Sequence, residues 1–563
     1  MEGYHRSSRN MITWRSLVAW CFVLGVAAFI RFYQLGAEDY WLDELHSLVN
    51  SAGQRAELEA IPHSVILRDI PRYSEPTAGS GIGAVWRTMA HDSHPPVYFV
   101  LLRVWRGMLG DGESATRSLS ALLSVLSIIP LALIVGRWED RRIVPYSGTY
   151  TRLHLRLVSG QQAPLSPPLV RGEGLGAATV AALAFSNIHM AQQARPYVLG
   201  MLFVTLCAWL LSEWAIGWAT WTSRRKAVAA IGYAFFAMLA MMTHYFTGFV
   251  LLAQVVYAGF VLRRRALHVF VGAVGLAAVA WLVIWGRAFL GQWDFIAAQD
   301  WLLEPHQDHL VRTLMRVSDL PVRLLLNHEP FTYGIIRSVV GAGVILGCAW
   351  VLRKGSHEGT KLRRHGGGGV GLFALWYAIP TVAFLLIDLF GQRQMLSHIR
   401  YSFVALPGLI GLLVLAVQRL LRAAQWVGLF IFVAAVWMSL RLPAIENPHA
   451  RQAAELIANE ARAGDLIVYD AIDWPRFWAS RLWTEVSYYL PPPAHSLPFV
   501  LLRDRPEPGL VAQLEAYDRV IVVSPRAEEE PNPWPEGLEL TQKTGYVRRI
   551  GPIYLFERRD HEP

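Results

Sequence analysis

Pro95-Pro96-Val97-Tyr98-Phe99-Val100-Leu101-Leu102-Arg103-Val104-Trp105-Arg106-Gly107-Met108-Leu109 is the run on which the fold turns, because whether it crosses a membrane fixes the face of every later loop. It is apolar, yet shorter than the roughly 20 residues a spanning helix needs, and it carries two arginines. Around it, apolar stretches recur near 12–33, 115–136, 175–191, 196–217, 227–244, 247–262 and 267–290, then near 333–352, 370–390, 400–418 and 424–442. Each approaches spanning length, which predicts about eleven crossings.

Cytoplasmic loops of membrane proteins hold the excess of Lys and Arg, and this rule settles the short run. If it lies along the interface, the cytoplasmic segments are the N-terminus, 137–174, 218–226, 263–266, 353–369 and 419–423. These contain Arg137, Arg141, Arg142, Arg152 and Arg156, then Arg224, Arg225 and Lys226, then Arg263 to Arg265. Arg353, Lys354, Lys361, Arg363 and Arg364 follow, and finally Arg419 and Arg422. Were the run to span, all of these would face outward, so it reads as a juxtamembrane helix. The external face then receives the loop 34–114, turns near 192–196 and 244–245, the segment 291–332, the loop 391–399 and the tail from about 443.

Composition agrees with a polytopic membrane protein: of 563 residues, 53% are hydrophobic and only 17% charged. The formal charge of +9 comes from clusters between apolar runs, so topology explains it and nucleic acid is not a partner. Cys21, Cys207 and Cys348 all fall inside apolar runs, which leaves no disulfide framework and no CxxC site. Arg6, Arg9 and Arg15 precede the first apolar run, and no small-residue cleavage site follows it, the pattern of an uncleaved signal anchor. The tail is different in kind. Arg451 to Ala463 has helical spacing, while Asp465 to Asp470, Arg519 to Ser524 and Tyr546 to Glu557 read as strands. The expected organisation is a membrane domain over 1–442 and a small α/β extracytoplasmic domain over 443–563. Gly160 to Gly174 and Gly366 to Gly369 read as linkers. No internal repeat of the kind found in many transporters is evident.

Residues able to carry chemistry gather on the face predicted to be external. Asp43 and Glu44 follow Trp41 just past the first span, and a carboxylate there suits a general base for an alcohol. A solvated helix start, with acids favoured in its first turn, is the plain alternative. Arg195 lies in Gln192-Gln193-Ala194-Arg195-Pro196-Tyr197, a turn between two apolar helices with almost no room for a loop. It can pair with a phosphate oxygen, or simply snorkel at a helix end. His94, His244-Tyr245 and Arg400-Tyr401 stand at other external helix ends. Asp43, Glu44, His94 and His244 are metal-ligating types, but no HxxxH-like spacing joins them; no cofactor is required, and a divalent metal stays open. An ionisable set at one mouth of a helical bundle suits an anionic, membrane-bound ligand.

Through these residues the chain resembles the GT-C superfamily of membrane glycosyltransferases, in particular bacterial relatives of dolichyl-phosphate-mannose protein mannosyltransferase and of the lipid A aminoarabinose transferase. The resemblance rests on Arg31-Phe32-Tyr33 leading to Trp41-Leu42-Asp43-Glu44, His94-Pro95-Pro96, Glu113 to Arg117, Gln193 to Tyr197, Thr243 to Phe246 and Arg400-Tyr401 before Pro407. It extends to the tail through Gly464-Asp465 and excepts only the insertion near 138–174. The resemblance implies transfer of a sugar from a polyprenyl-phosphate donor to a glycan, lipid or protein acceptor at the outer face of the cytoplasmic membrane, with inversion. It implies Asp43 as general base and Glu44 as a supporting residue. Arg195 and Arg400 would stabilise the leaving phosphate, with Tyr197, His94, His244 and Tyr245 orienting phosphate or sugar. His94 stands where the aminoarabinose transferases have a lysine. The β-trefoil insertion of the protein mannosyltransferases is missing, which disfavours a protein acceptor. No GxxxxGK[ST] motif is present, as expected when the donor itself holds the energy. The competing reading is a transporter or lipid flippase, for which Asp388 is the clearest acid within a span.

Overall fold

A computed structural model describes residues 14–76, 81–139, 172–297, 302–303, 308–326, 334–357, 368–420, 422–441, 449–472, 476–524, 538–547 and 550–558. Arg6, Arg9, the basic positions 141–156 and 361–364, most of the expected linkers and residues 443–448 lie outside these. Gly172 and Gly368, expected in linkers, each begin a helix, Gly172–Leu183 and Gly368–Gly391. The chain forms two compact units: Met1–Tyr33, Ser93–Tyr98 and Arg117–Pro443 make the first, and Gln34–Asp92, Phe99–Thr116 and Ala444–Pro563 the second.

The first unit is helical, and helices lie over every apolar run named above. Among the described residues, six are long and apolar enough to cross a membrane, seven if the bent pair Gly174–Leu183 and Phe185–Ala191 is one span. Two shorter apolar helices, Ser16–Phe32 and Thr247–Val261, accompany them. Their outer faces are those of a membrane protein: Phe260 is 82% exposed, Val283 80% and Phe390 84%. Large apolar side chains turned outward in such numbers need lipid against them. Inside, small residues let helices meet closely. At Gly408, on Leu406–Val417, an added methyl would lie 2.5 Å from the Tyr377 amide nitrogen of Gly368–Gly391.

Breaking a helix at membrane depth exposes carbonyls that must be satisfied from within the protein. The bent pair turns by 62° at Ala184, and the freed carbonyls fall to Arg31, the buried last-turn residue of the first helix, Trp14–Phe32. Its guanidinium donates to Ala182 O at 2.9 Å and Ala181 O at 3.2 Å, and to Ser124 Oγ at 2.8 Å. Asn187 Nδ2 adds a bond to Ala181 O at 2.8 Å. The bend sets the direction in which Phe185–Ala191 enters the turn carrying Arg195.

The second unit holds a five-stranded sheet in the order β2-β1-β3-β5-β4: β1 Leu466–Asp470, β2 Phe499–Leu502, β3 Arg519–Val523, β4 Leu538–Val547 and β5 Gly551–Arg558. β1 pairs in parallel with β2 and β3, while β5 lies antiparallel to β3 and β4. β1 is buried along its whole length, which is why it reads as an unbroken apolar run. Ile467, Tyr469 and Phe499 pack on one face with Ala453, Ile457 and Trp483; Leu466, Val468 and Val500 pack on the other with Leu510 and Leu514. The expected strand Tyr546 to Glu557 is divided between the end of β4 and β5, and β2 adds a strand that local pattern does not pick out. Val49, Leu58, Ile61 and Ile70 belong to the same core, and Leu67 bridges to Phe499. The segment 34–92 is thus folded into this unit.

The deciding run forms the helix Val97–Leu109, 13 residues long, or about 20 Å against the roughly 30 Å of a bilayer core. Arg106 is 4% exposed, and its guanidinium donates to Leu48 O at 2.8 Å, Ser51 Oγ at 2.7 Å, Ser74 O at 2.6 Å and Asp111 Oδ1 at 2.5 Å. A buried arginine with this many partners is a cross-brace of the second unit, joining three of its segments.

Candidate functional site

The helix Leu42–Ala52 of the second unit opens with Trp41 as its N-cap and carries Asp43 and Glu44 in its first turn. Successive helical residues point about 100° apart, and the pair separates accordingly: Glu44 is 1% exposed and Asp43 half-buried. Several bonds fix this helix start. Glu485 accepts the Leu42 N–H at 2.9 Å, and Tyr489 OH accepts that of Tyr40 at 2.7 Å. Tyr489 OH donates to Glu113 at 3.0 Å, and Arg451 reaches both Asp39, at 3.0 Å, and Glu113, at 2.5 Å. The helix N-terminus favours the ionised form of an adjacent carboxylate, the form a base requires.

In the first unit, the turn after Phe185–Ala191 buries Arg195 to 4% exposure before Tyr197 begins the helix Tyr197–Gly217. Ser120 Oγ donates to the Arg195 carbonyl at 3.3 Å and is itself 3.0 Å from Tyr98 OH. The guanidinium donates to Tyr197 OH at 3.2 Å and lies 3.4 Å from His94 Nε2. Because a guanidinium only donates, His94 Nε2 accepts, and its proton rests on Nδ1, 2.9 Å from Ser93 Oγ. His244 closes the group. Its ring centroid is 5.3 Å from that of Tyr197 and 5.7 Å from that of His94, and its Nδ1 accepts the Phe246 N–H at 3.3 Å. The remaining nitrogen, Nε2, then carries the proton. Burial holds the His244 pKa well below its ordinary value, and the nearby His94, Arg195 and Arg400 push the same way. The result is a neutral donor beside buried positive charge. Arg400 lies 5.2 Å over the Tyr401 ring, and Tyr401 packs edge-on to Phe246 at 5.3 Å.

Tyr245 acts at one remove. Trp285 Nε1 donates to its hydroxyl at 2.9 Å, that hydroxyl donates to Gln292 Oε1, and Gln292 Nε2 donates to the His94 carbonyl at 3.2 Å. This chain orients the backbone of His94. Another holds the approach to Arg400: fully buried Asp388 accepts the amides of Met395 at 2.6 Å and Leu396 at 2.9 Å. Arg323 donates to Leu396 O at 2.6 Å and Ser397 O at 2.5 Å. Gln292, Trp285 and Arg323 are absent from the sequence-derived set. Arg323 had a signal, four residues after Asp319 on the strongly amphipathic helix His309–Leu325; Gln292 and Trp285 had none, being apolar-run neighbours until the fold joins them to position 94.

Among the described residues, no group of three or more His, Cys, Asp or Glu side chains is gathered to hold a metal ion. In this cluster a guanidinium faces the acceptor nitrogen of His94, which suits an anion and not a second cation. The depressed His244 pKa has a measurable consequence. The unfolded side chain takes a proton near 6.5 while the folded one stays neutral, so its contribution to stability is complete above that pH and lost as pH falls below it. Thermal unfolding of the detergent-solubilised protein should therefore show a lower midpoint near about pH 5 than near about pH 7.5, and His244→Gln should shrink the difference. An unchanged difference in the variant would contradict the assignment.

No protein-family model matches the chain, and a search of curated proteins finds no relative. Solved structures do match. ArnT from Cupriavidus metallidurans bound to undecaprenyl phosphate aligns with 96% of this chain and 98% of its own at 13% identity and a TM-score of 0.52. The apo form of the same protein matches over the same shares at a TM-score of 0.38. The Archaeoglobus fulgidus oligosaccharyltransferase, tethered to an acceptor peptide containing the NVT sequon, covers 91% of this chain and 69% of its own at 11% identity and a TM-score of 0.49. The likeness is one of fold: this chain shares the fold of the ArnT structure bound to undecaprenyl phosphate.

Proposed function

We propose that this protein is an integral-membrane glycosyltransferase that moves a sugar from a polyprenyl-phosphate donor to an acceptor hydroxyl at the extracytoplasmic face, with inversion. The observation that carries the reading is the Arg195–His94–Tyr197–His244 cluster, a buried guanidinium with a phenol and two imidazoles beside it, set into an apolar helical bundle. A lipid phosphate needs both parts: apolar helices for its tail and fixed cationic or neutral donors for its oxygens. The fold shared with a protein captured bound to undecaprenyl phosphate supports the same donor class.

In this reading the acceptor oxygen attacks the anomeric carbon and its proton passes to Asp43, while the bond from that carbon to the phosphate oxygen breaks. The electron pair leaves on the lipid phosphate, where Arg195 and Arg400 meet the growing charge and Tyr197 and His244 donate hydrogen bonds. His94 holds the Arg195 fork, Tyr245 and Gln292 hold His94, and Glu44 supports the start of the Asp43 helix. No step needs a nucleotide or a metal. About eleven crossings, residues 1–442 as the membrane domain with external loop 34–114 and cytoplasmic loop 137–174, and 443–563 as an extracytoplasmic domain complete the proposal. Asp388, the acid a transporter would use, is engaged by the Met395 and Leu396 amides, which favours the transferase. The test supplies purified protein with radiolabelled polyprenyl-phosphate sugars and an envelope extract as acceptor. Transfer of label with release of lipid phosphate is expected; movement of intact donor across vesicles without its cleavage would favour the flippase.

A further inference from the structure

Arg224, Arg225 and Lys226 stand at the start of the helix Ser223–Met241, and Arg263, Arg264 and Arg265 at the start of the helix Arg264–Ala297, both in the first unit. The helix Thr247–Val261 returns the chain between them, so the two run parallel. Tyr233, nine residues past Arg224, packs edge-on to Phe270, five past Arg265, with ring centroids 4.8 Å apart. At 1.5 Å per residue the triplets therefore differ by about 6 Å along the helix axes. They form one basic patch.

Topology accounts for cations in these loops, yet not for the end of the loop they occupy. The basic-loop rule counts charges and is served by either end. The helix dipole is not indifferent: it favours cations in a last turn and opposes them in a first turn. Here the helices Tyr197–Gly217 and Thr247–Val261 that enter the loops have no basic residue in their last turns, and the helices that leave have no acid in their first. Every cation of the two triplets is on the unfavourable side. Compensation within the chain is slight, because no Asp or Glu occurs between Glu213 and Asp294. Glu213 already meets Arg137 at 2.8 Å and lies 3.9 Å from Arg225. An external anion has a reason to bind.

The exposed side chains say what carries that anion. Arg224, Val228, Ile231 and Phe235 are all exposed and fall at i, i+4, i+7 and i+11, one face of their helix; Arg265, Val269, Gly272 and Leu276 repeat both the spacing and the exposure. Each arginine thus heads an apolar stripe. Arg225 stacks over Trp221 at 4.6 Å and Lys226 over Trp218 at 4.8 Å, aromatic contacts suited to headgroup depth. A soluble anion would use the cations and leave the stripes bare, whereas a phospholipid uses both.

We propose that this patch binds an anionic phospholipid with two phosphates, of the cardiolipin class, one phosphate to each triplet and the acyl chains along the two stripes. Basic pockets between membrane helices suit such headgroups, and guanidinium meets phosphate oxygens bidentately. The site is separate from the Arg195 pocket. Arg195 precedes the helix Tyr197–Gly217 and the patch follows its far end, about 30 Å away, so the proposal does not depend on the transferase reading.

The test titrates the full chain, freed of co-purified lipid in a neutral detergent, with cardiolipin, phosphatidylglycerol and phosphatidylcholine, read by native mass spectrometry. Cardiolipin should bind at least tenfold more tightly than phosphatidylglycerol, and phosphatidylcholine should not displace it. Arg224→Gln with Arg265→Gln changes one exposed arginine of each triplet and should weaken cardiolipin binding roughly 10- to 30-fold without moving the lipid-free melting midpoint. Arg224→Lys with Arg265→Lys keeps both charges and should retain most of the affinity. Arg195→Ala should bind cardiolipin like the unmodified protein. Equal affinity for cardiolipin and phosphatidylglycerol, or full cardiolipin binding by the glutamine variant, would overturn the inference. So would a loss in Arg195→Ala as large as in the glutamine variant, since the lipid would then occupy the other pocket.

Discussion

Asp43→Asn is expected to lower sugar transfer by about 10²- to 10⁴-fold, the range over which a positioned general base contributes. The substitution keeps the shape of the side chain and removes its ability to take a proton. Stability should change little. Asp43 is half-buried at a helix start that is held by Glu485, Tyr489 and Arg451, none of which depends on its charge. The loss of a favourable charge at the helix N-terminus costs about 0.3–1 kcal/mol. The kinetic signature should be a fall in kcat with the KM for donor nearly unchanged, since binding does not need the base. Glu44→Gln makes the contrast. Glu44 is buried, so its replacement should lower the thermal midpoint while leaving the remaining folded protein active. Single-turnover assays on both variants, with melting curves alongside, separate the roles. If Asp43→Asn transfers within threefold of the unmodified protein, the base lies elsewhere.

What the sequence disclosed and what it hid follow from the range of its signals. Apolar runs are local and additive, so the helices over those runs were readable. The turn at Arg195 was readable because a Gln-Gln-Ala-Arg-Pro stretch between two apolar helices has few other uses. The make-up of the second unit was not. Its core joins Val49, Leu58, Ile61 and Ile70 to Tyr469 and Phe499, and its bonds span up to 449 residues, as between Tyr40 and Tyr489. Periodicity reports which face of an element is apolar, never which distant element covers it. Gln292 shows the same limit within the site, acting on His94 from 198 positions away. The four-residue strand Phe499–Leu502 is too short to stand out, and Arg31 resembled a motif residue although its bonds are spent on a broken helix.

Arg195→Ala should lower transfer by about 10²- to 10³-fold, comparable to removing one preorganised donor from an anion-stabilising site. The argument begins with burial. At 4% exposure, the guanidinium has given up water, and Tyr197 OH and the edge of His94 are among the groups that meet it instead, which holds its fork in place. The charge on the phosphate grows as the anomeric bond breaks, so the variant should lose kcat as well as donor affinity. Arg195→Lys keeps the charge but not the planar fork that meets an oxygen and Tyr197 together, and should recover only part of the rate. Binding of the product lipid phosphate isolates the ground-state share: loss of one charge-assisted bond predicts roughly 10- to 100-fold weaker binding by Arg195→Ala. A purely structural arginine would leave that affinity intact. His244 supplies an independent readout, because Arg195 is one of the charges that depress its pKa. Removing the guanidinium must move that pKa back toward 6.5, so the imidazole should begin to charge at a higher pH in the variant, as NMR of a ring-labelled sample would reveal. If the His244 titration does not move and lipid phosphate still binds as before, Arg195 and His244 are not parts of one anion site, and the proposed leaving-group pocket is wrong.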